Sequence, residues 1–530
     1  MEKELLTRNI LVIVLLLSQL FCSAQDILWE KSYGGIHSEY LFDAQPTADY
    51  GFILAGSSLS GKTGNKLQDN INNLDYWVWK MDEQGDMDWQ KSFGGTDADF
   101  LQSVRNTRDG GFILAGTSSS MKSGDKMEDS FGKEDFWIIK LNAKGDEEWQ
   151  KTLGGTGSDV LTAIHQTRDG GYIIGGSSDS MVSGIKTEPN YGSLDYWIIK
   201  LSSSGTIEWQ KTYGGQYMDQ LESILPTRDD GFIVGGWSNS MKSGNKTEDS
   251  FGEGDYWVLK LDKSGDIEWQ RTLGGEEDDH LYVIIETMES GYLLGGSSRS
   301  GTSGNKSRSN GKGTDFWLVK LTEGGEIDWQ STYDFGRTDV LSSIVENEDG
   351  TFLVGGHSKT ENTGLKSLDK KGINDFIALK IAADGEERWR RTIGSAGEDN
   401  LKKLVETRDG GYLLAGTSNG KASRDKNTGQ GLSDFWVVKL RDKEKDEEKD
   451  RLSSLEAFPN PTEAFTNIIV NHDFENGTAS VYDISGKQLQ FFEIKNRTVP
   501  ISLQGLAIGV YIVTVSTNFS TESVKILKSK

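Results

Sequence analysis

The chain has 530 residues, 57 Lys and Arg against 81 Asp and Glu, and a formal charge of −24 at pH 7. Nucleic-acid phosphates and anionic lipid surfaces both select for clustered cations, so this balance excludes them as partners and reads as solubility outside the cell. The 15 Trp, 21 Phe and 16 Tyr supply a large core, and 64 Gly with only 6 Pro fit many tight turns rather than a low-complexity chain.

Residues 1–24 carry Lys3 and Arg8, an apolar run from Ile10 to Leu17, and Cys22, Ser23 and Ala24. That order describes a secretory signal cleaved after Ala24, with an apolar run too short to span a membrane. Phe21 stands where a lipoprotein signal needs a small residue. The only cysteine leaves with the signal, so the mature chain is expected to be extracytoplasmic, free of disulfides and without a transmembrane segment.

From there a 60-residue unit repeats, marked by Trp29, Trp89, Trp149, Trp209, Trp269, Trp329 and Trp389 and by Gly56 and its 60-spaced equivalents to Gly416. Within one unit, Asp159 to Thr167 reads as a strand, RDGG as a reversal, YIIGGSS from Tyr172 as a second strand and DYWIIKL from Asp195 as a third with both faces buried. After SSSG comes a fourth strand, IEWQKTY, with the marker Trp209. Four short antiparallel strands that cannot bury their own faces, repeated seven times without helical periodicity, predict an all-β, seven-bladed β-propeller over residues 25–440.

The ring predicts its own closure. A Trp strand at 27–33 precedes any first strand, and the last unit stops at Phe435 to Leu440 without one, so the N-terminal strand is expected to complete blade seven. Glycine doublets followed by an aromatic strand resemble kelch blades, and Gly205 before Trp209 resembles quinoprotein blades. The FILAG and YIIGG runs after RDGG are more similar to the DGGYILAG-type repeats of large Bacteroidota surface proteins, across residues 27–440. The unit exceeds an ordinary blade in one place, the loop between second and third strands, such as Ser118 to Asp135.

RDKEKDEEKDR at 441–451 has no apolar residue except its flanks and reads as a charged linker. Residues 452–530 alternate strands and turns as a small antiparallel, immunoglobulin-like β-sandwich. FPNP (Phe458 to Pro461), VYDISGKQL (Val481 to Leu489), GVYIVTV (Gly509 to Val515) and the basic VKILKSK end resemble, in order and spacing, the type A C-terminal sorting domain of the type IX secretion system. The resemblance implies contact with that machinery, export across the outer membrane, and then release or attachment at the cell surface.

Two constellations recur with the unit. Glu39, Asp99, Asp159, Asp219, Asp279, Asp339 and Asp399 open the first strands, where a channel-lining ring could hold calcium and where, alternatively, each caps a local turn with its charge facing water. The long loops, 57–74 and its equivalents to 417–433, repeat a lysine at Lys66, Lys126, Lys186, Lys246, Lys306, Lys366 and Lys426. With Phe131, Tyr191, Phe251 and Trp237, the rim lysines Lys126, Lys186 and Lys246 form a candidate surface for glycan or protein, unless each lysine simply pairs with a neighbouring acid. Catalytic residues are scarce. His37, His165, His280, His357 and His472 show no metal-ligand spacing, and no other cofactor motif stands out. The chain therefore reads as an exported binding or adhesion propeller; the alternatives are a polysaccharide hydrolase or lyase on the same scaffold and a structural part of a surface assembly.

Overall fold

A computed structural model describes residues 25–442 apart from 310, 312 and 360–371, and residues 455–529 apart from 463 and 471–473. The signal at 1–24, Lys366 with most of its loop, the linker from 443 onward and Lys530 lie outside the described residues. Everything described is strand, turn or connecting loop.

Residues 39–393 form six consecutive four-stranded antiparallel sheets, and a seventh joins Asp399–Glu406, Tyr412–Ser418 and Asp434–Asp442 to the N-terminal strand Gln25–Tyr33. These are called sheets one to seven in chain order. The N-terminal strand lies antiparallel to Asp434–Asp442, with Tyr33 opposite Phe435, Ile27 opposite Leu440 and Gln25 opposite Asp442. Arg441 and Asp442 therefore belong to the sheet and not to the linker. First strands touch in succession around the ring, and the first strand of sheet one meets that of sheet seven, which makes the fold propeller-like. Single parallel bridges also stitch neighbours together, Leu194 to Met218 for example, and Ser38 to Ser433 closes the circle.

The repeated sequence explains the packing. The second and third strands of each sheet are almost wholly buried, as in Tyr172–Ser178 and Asp195–Leu201, because sheets cover them on both sides. Trp197 of sheet three packs with Ile113, Phe136 and Ile138 of sheet two in one of a series of inter-sheet apolar clusters. Buried tyrosines tie the layers: Tyr196 Oη donates to the Trp257 carbonyl at 3.1 Å, and Tyr256 Oη to the Trp317 carbonyl at 3.1 Å. Gly176 is needed for close approach, since a Cβ there would lie 2.2 Å from the Val160 carbonyl oxygen.

One irregularity is common to all seven first strands. Leu41, Leu101, Leu161, Leu221, Leu281, Leu341 and Leu401 pair with a glycine of the second strand, the next residue is skipped, and pairing resumes one residue later. Each first strand thus carries a β-bulge that re-aims one side chain.

Residues 456–529 form a three-stranded sheet (Glu456–Phe458, Phe465–Ile469, Thr498–Ser502) and a four-stranded one (Gln488–Ile494, Gly477–Asp483, Gly509–Thr517, Thr521–Lys528). Both sheets contribute to one core that includes Ile468, Val499, Ile501, Val481, Val513 and Ile526.

Candidate functional site

Among the described residues the long loops emerge on one face of the ring, and their repeated lysine is folded under them. Lys126, Lys186 and Lys246 are buried. Lys186 Nζ donates to the Ser180 carbonyl at 2.9 Å, Lys246 Nζ to the Ser240 carbonyl at 2.8 Å and Ser250 Oγ at 3.1 Å, and Lys126 Nζ to the Glu128 carbonyl at 3.1 Å and Ser130 Oγ at 3.0 Å. These lysines are therefore not rim contacts. A loop of this length has carbonyls without ladder partners, and the buried ammonium supplies the donors they lack.

The acidic ring is corrected in the same way. Glu39, Asp99, Asp159, Asp219, Asp279, Asp339 and Asp399 are buried and do not face water. Asp159 accepts from Gly155 N–H at 2.6 Å and Ser180 Oγ at 3.0 Å, and Asp219 accepts from Gly215 N–H at 2.7 Å and Ser240 Oγ at 2.9 Å. The turn-capping part of the expectation matches this geometry; the exposed charge does not. A second acid opens each third strand, and Asp135 and Asp255 hold the backbone N–H of Phe131 and Phe251, each at 2.6 Å. Burial, and then the neighbouring first-strand acid, pushes these carboxyls up: Asp195 and Asp255 reach about 7, and Asp99 reaches about 6 by burial. Burial pushes Lys66, Lys186 and Lys306 down to about 8. As for calcium, among the described residues one oxygen each of Asp315, Asp334 and Asp339 come within 4.8 Å of one another.

Apolar side chains also remain open on this face. Phe131 (42%), Tyr191 (49%) and Phe251 (48%) are exposed, each resting on a glycine of the next loop, Gly184, Gly244 and Gly304. Met121 (51%), Met181 (60%) and Met241 (44%) are exposed in the same loops, and sequence reasoning passed over them although their 60-residue spacing was visible. Trp237 is not an open platform: its Nε1 donates to Asp278 at 2.9 Å and its ring stacks on His280 at 5.1 Å.

The axis is the other place where the repeat breaks. His280 bonds Asp278 at 2.9 Å and stacks on Tyr282 at 6.0 Å. Towards the short-turn face, Arg105 pairs with Asp43 and lies against His165, and Lys403 Nζ is 3.8 Å from Asp43. Burial, then the Arg105 and Lys403 charges, hold the His165 imidazole far below its usual range and keep it neutral.

Residues 456–529 match the secretion system C-terminal sorting domain. Over 155 residues, 28% of the chain, it is 30% identical to the regulatory protein FlaEY of Caulobacter vibrioides, and this stretch spans 16% of that protein's length. Solved structures similar to the chain include a fungal alcohol oxidase of the AA5 family in complex with copper (TM-score 0.42, 10% identity, 96% of this chain and 100% of that one). The Neurospora crassa Pan2 WD40 domain is another (0.32, 12% identity, 63% and 93%). A third is the extracellular domain of a two-component system protein from B. thetaiotaomicron (0.22, 9% identity, 91% and 86%). Neither oxidase chemistry nor signalling follows for this chain from likeness so distant. The sorting domain does assign export: the protein leaves through the type IX secretion machinery to the cell surface or the extracellular space. Among the described residues no helix is long and apolar enough to cross a membrane.

Proposed function

We propose that the ring is a seven-bladed propeller of the DGGYILAG-repeat kind spanning residues 25–440, that 452–530 is a sandwich-like sorting domain, and that the exported protein binds a partner on its long-loop face. One observation supports the binding role. Met121, Met181, Met241, Phe131, Tyr191 and Phe251 form an exposed row over sheets two to four. The same unit positions hold Gly61 and Ile71 in sheet one, Gly301 and Gly311 in sheet five, and Lys421 and Gly431 in sheet seven. The methionines stop at three sheets although the long loop does not, and exposed apolar side chains repeated on neighbouring sheets mark a covered surface. Methionine adapts to irregular partners and aromatic residues concentrate in interface cores, so a protein surface fits this face best. A glycan is the second reading, supported by three rings at one repeat spacing.

The mature protein, applied to arrays of surface proteins and of glycans, should retain a binder. Met121→Lys, Met181→Lys and Met241→Lys should each weaken binding about tenfold without lowering the melting temperature, because these side chains bury little within the ring. Arg108→Ala with Arg168→Ala, on the short-turn face, should leave binding intact. Parental affinity in all three Lys variants would put the functional face elsewhere.

A further inference from the structure

The outer strand of each ring sheet has a ladder partner on one side only, and the chain blunts these edges with charge. Two residues after each marker tryptophan stand Lys31, Lys91, Lys151, Lys211, Arg271 and Arg391, a cation in six of seven sheets. A charge on an edge strand makes pairing with a further strand costly, which keeps soluble β-proteins apart. The C-terminal unit guards three of its four sheet edges as well. Glu456–Phe458 is three residues long and is engaged by the ring through Arg408 and Glu456. Thr498–Ser502 contains Pro500, which removes a donor. Along Thr521–Lys528, which has its own Lys525, lies Thr462, with a parallel bridge to Lys528 and its N–H donating to the Leu527 carbonyl at 2.9 Å.

The fourth edge has no such guard. Gln488–Ile494, QLQFFEI, pairs with Gly477–Asp483 on one side, Phe491 opposite Ser480 and Phe492 opposite Ala479. Among the described residues no backbone hydrogen bond joins it to any other segment. Gln490 Nε2 donates to the Ser502 carbonyl at 2.7 Å, which steadies the strand through a side chain and not through its ladder. The strand includes no cation, no glycine and no proline, its one charge is Glu493 near the end, and Phe491 is 59% exposed. An aromatic-rich strand of seven residues with one open edge is a template for another strand.

We infer that Gln488–Ile494 is the docking edge of the sorting domain: a component of the type IX machinery adds a strand of its own beside it, with Phe491 as the side-chain anchor of the contact. Main-chain bonds to the open edge supply affinity, and the Phe491 ring, set against side chains of the added strand, supplies specificity. The occupant follows from the domain itself, since the sorting-domain match runs over this strand and assigns residues 456–529 to export. The ring contact is made from the other sheet, through Glu456, so the two engagements use different strands. The inference rests on the sorting assignment and is independent of the long-loop face.

The full precursor, expressed in a type IX-competent host and followed by cell fractionation, tests this edge. Phe491→Lys, which gives this strand the kind of cation that the ring edges carry, should lower the exported amount about tenfold or more and leave the precursor in the periplasm, while Phe491→Tyr is exported at parental levels. Ile512→Lys, on a central strand of the same sheet and 39% exposed, should also be exported at parental levels. Because Phe491 is exposed, the purified Lys variant should keep the parental melting temperature. If it melts lower, a photo-crosslinking phenylalanine in place of Phe491 decides, and it should give an adduct with a type IX component identified by mass spectrometry. Parental export of Phe491→Lys, equal loss of export in Ile512→Lys, or a crosslinker that captures only a second copy of this chain or nothing overturns the docking edge. A chain ending at Asp442 is the baseline: its export at parental levels would remove the sorting assignment itself, whereas its retention beside exported Phe491→Lys removes this edge alone.

Discussion

At the loop lysines, one ammonium lies between two buried carboxyls: Lys186 feels Asp159 and Asp195, and Lys246 feels Asp219 and Asp255. Two acids to one base cannot all be ionised cheaply away from water, which is why the carboxyls titrate high. A carboxyl raised from its unfolded value near 3.8 to about 7, as at Asp75, Asp195 and Asp255, binds its proton more tightly in the folded state. Its stabilising contribution is complete below about pH 4 and is lost as pH rises through 7. The RDGG aspartates run the other way. Burial alone would raise Asp169, but Thr167, Lys200 and the Gly171 amide bring it to about 2, so its contribution is present above pH 4 and lost towards pH 2. Lys186, lowered to about 8, costs stability below pH 8 and gives it back between 8 and 10.5. The melting temperature of the mature protein should therefore be higher near pH 5 than near pH 7.5, and Lys186→Met, which removes the cation between two acids, should lower it more at pH 7.5 than at pH 5. A scan of melting temperature against pH that is flat from 5 to 8 would show that these carboxyls do not titrate as argued.

The N-terminal strand is joined to the ring by more than a ladder. In sheets one to five the third-strand tryptophan donates to a fourth-strand glutamine, Trp77 to Gln90 at 3.2 Å and Trp197 to Gln210 at 3.0 Å among them. In sheet seven Trp436 Nε1 donates instead to Glu30 at 2.8 Å, across 406 residues of chain, while Glu30 also accepts from Asn427 N–H at 2.9 Å. Sheet six shows the converse: Ile377 replaces the tryptophan, and Arg390 replaces the glutamine and turns to Glu387. Glu30→Ala should cost about 1–3 kcal/mol by stranding the indole N–H, whereas Glu30→Gln, which restores the usual donor and acceptor set, should melt at or above the parental temperature. Equal melting of all three proteins would mean that this bond does not hold the strand. Strand order, the position of the N-terminal strand and the loop surplus are legible in the sequence because the unit repeats seven times and alternation is strong within it. The lysines were misplaced because Lys in a polar loop ordinarily faces water, and nothing local announces that Ser180 and Ser240 carbonyls will need donors. The bulges were missed for a different reason: a register shift leaves no mark in hydropathy, and Glu222 or Lys402 reads as an ordinary outward position of a first strand.

For the whole molecule, the two ends of the ring lie together, Gln25 opposite Asp442, at the edge bearing the short turns. Arg408, in one of those turns, stacks on Tyr50 at 3.7 Å and bonds Glu456 of the C-terminal unit. The sorting domain thus meets the ring on the short-turn side, opposite the long loops. Because the ring is closed by its own N-terminal strand and the C-terminal sheets have a core of their own, the two units do not complete one another. A chain ending at Asp442 should therefore keep the parental ring stability, accumulate in the periplasm and be missing from the surface and the medium. Conversely, residues 443–530 fused to an unrelated periplasmic protein should carry that protein out. Cell fractionation with both chains separates the possibilities: a truncated ring that reaches the medium at parental levels removes export from the C-terminal unit, and a fusion that stays behind would mean that the ring itself takes part in recognition by the secretion machinery.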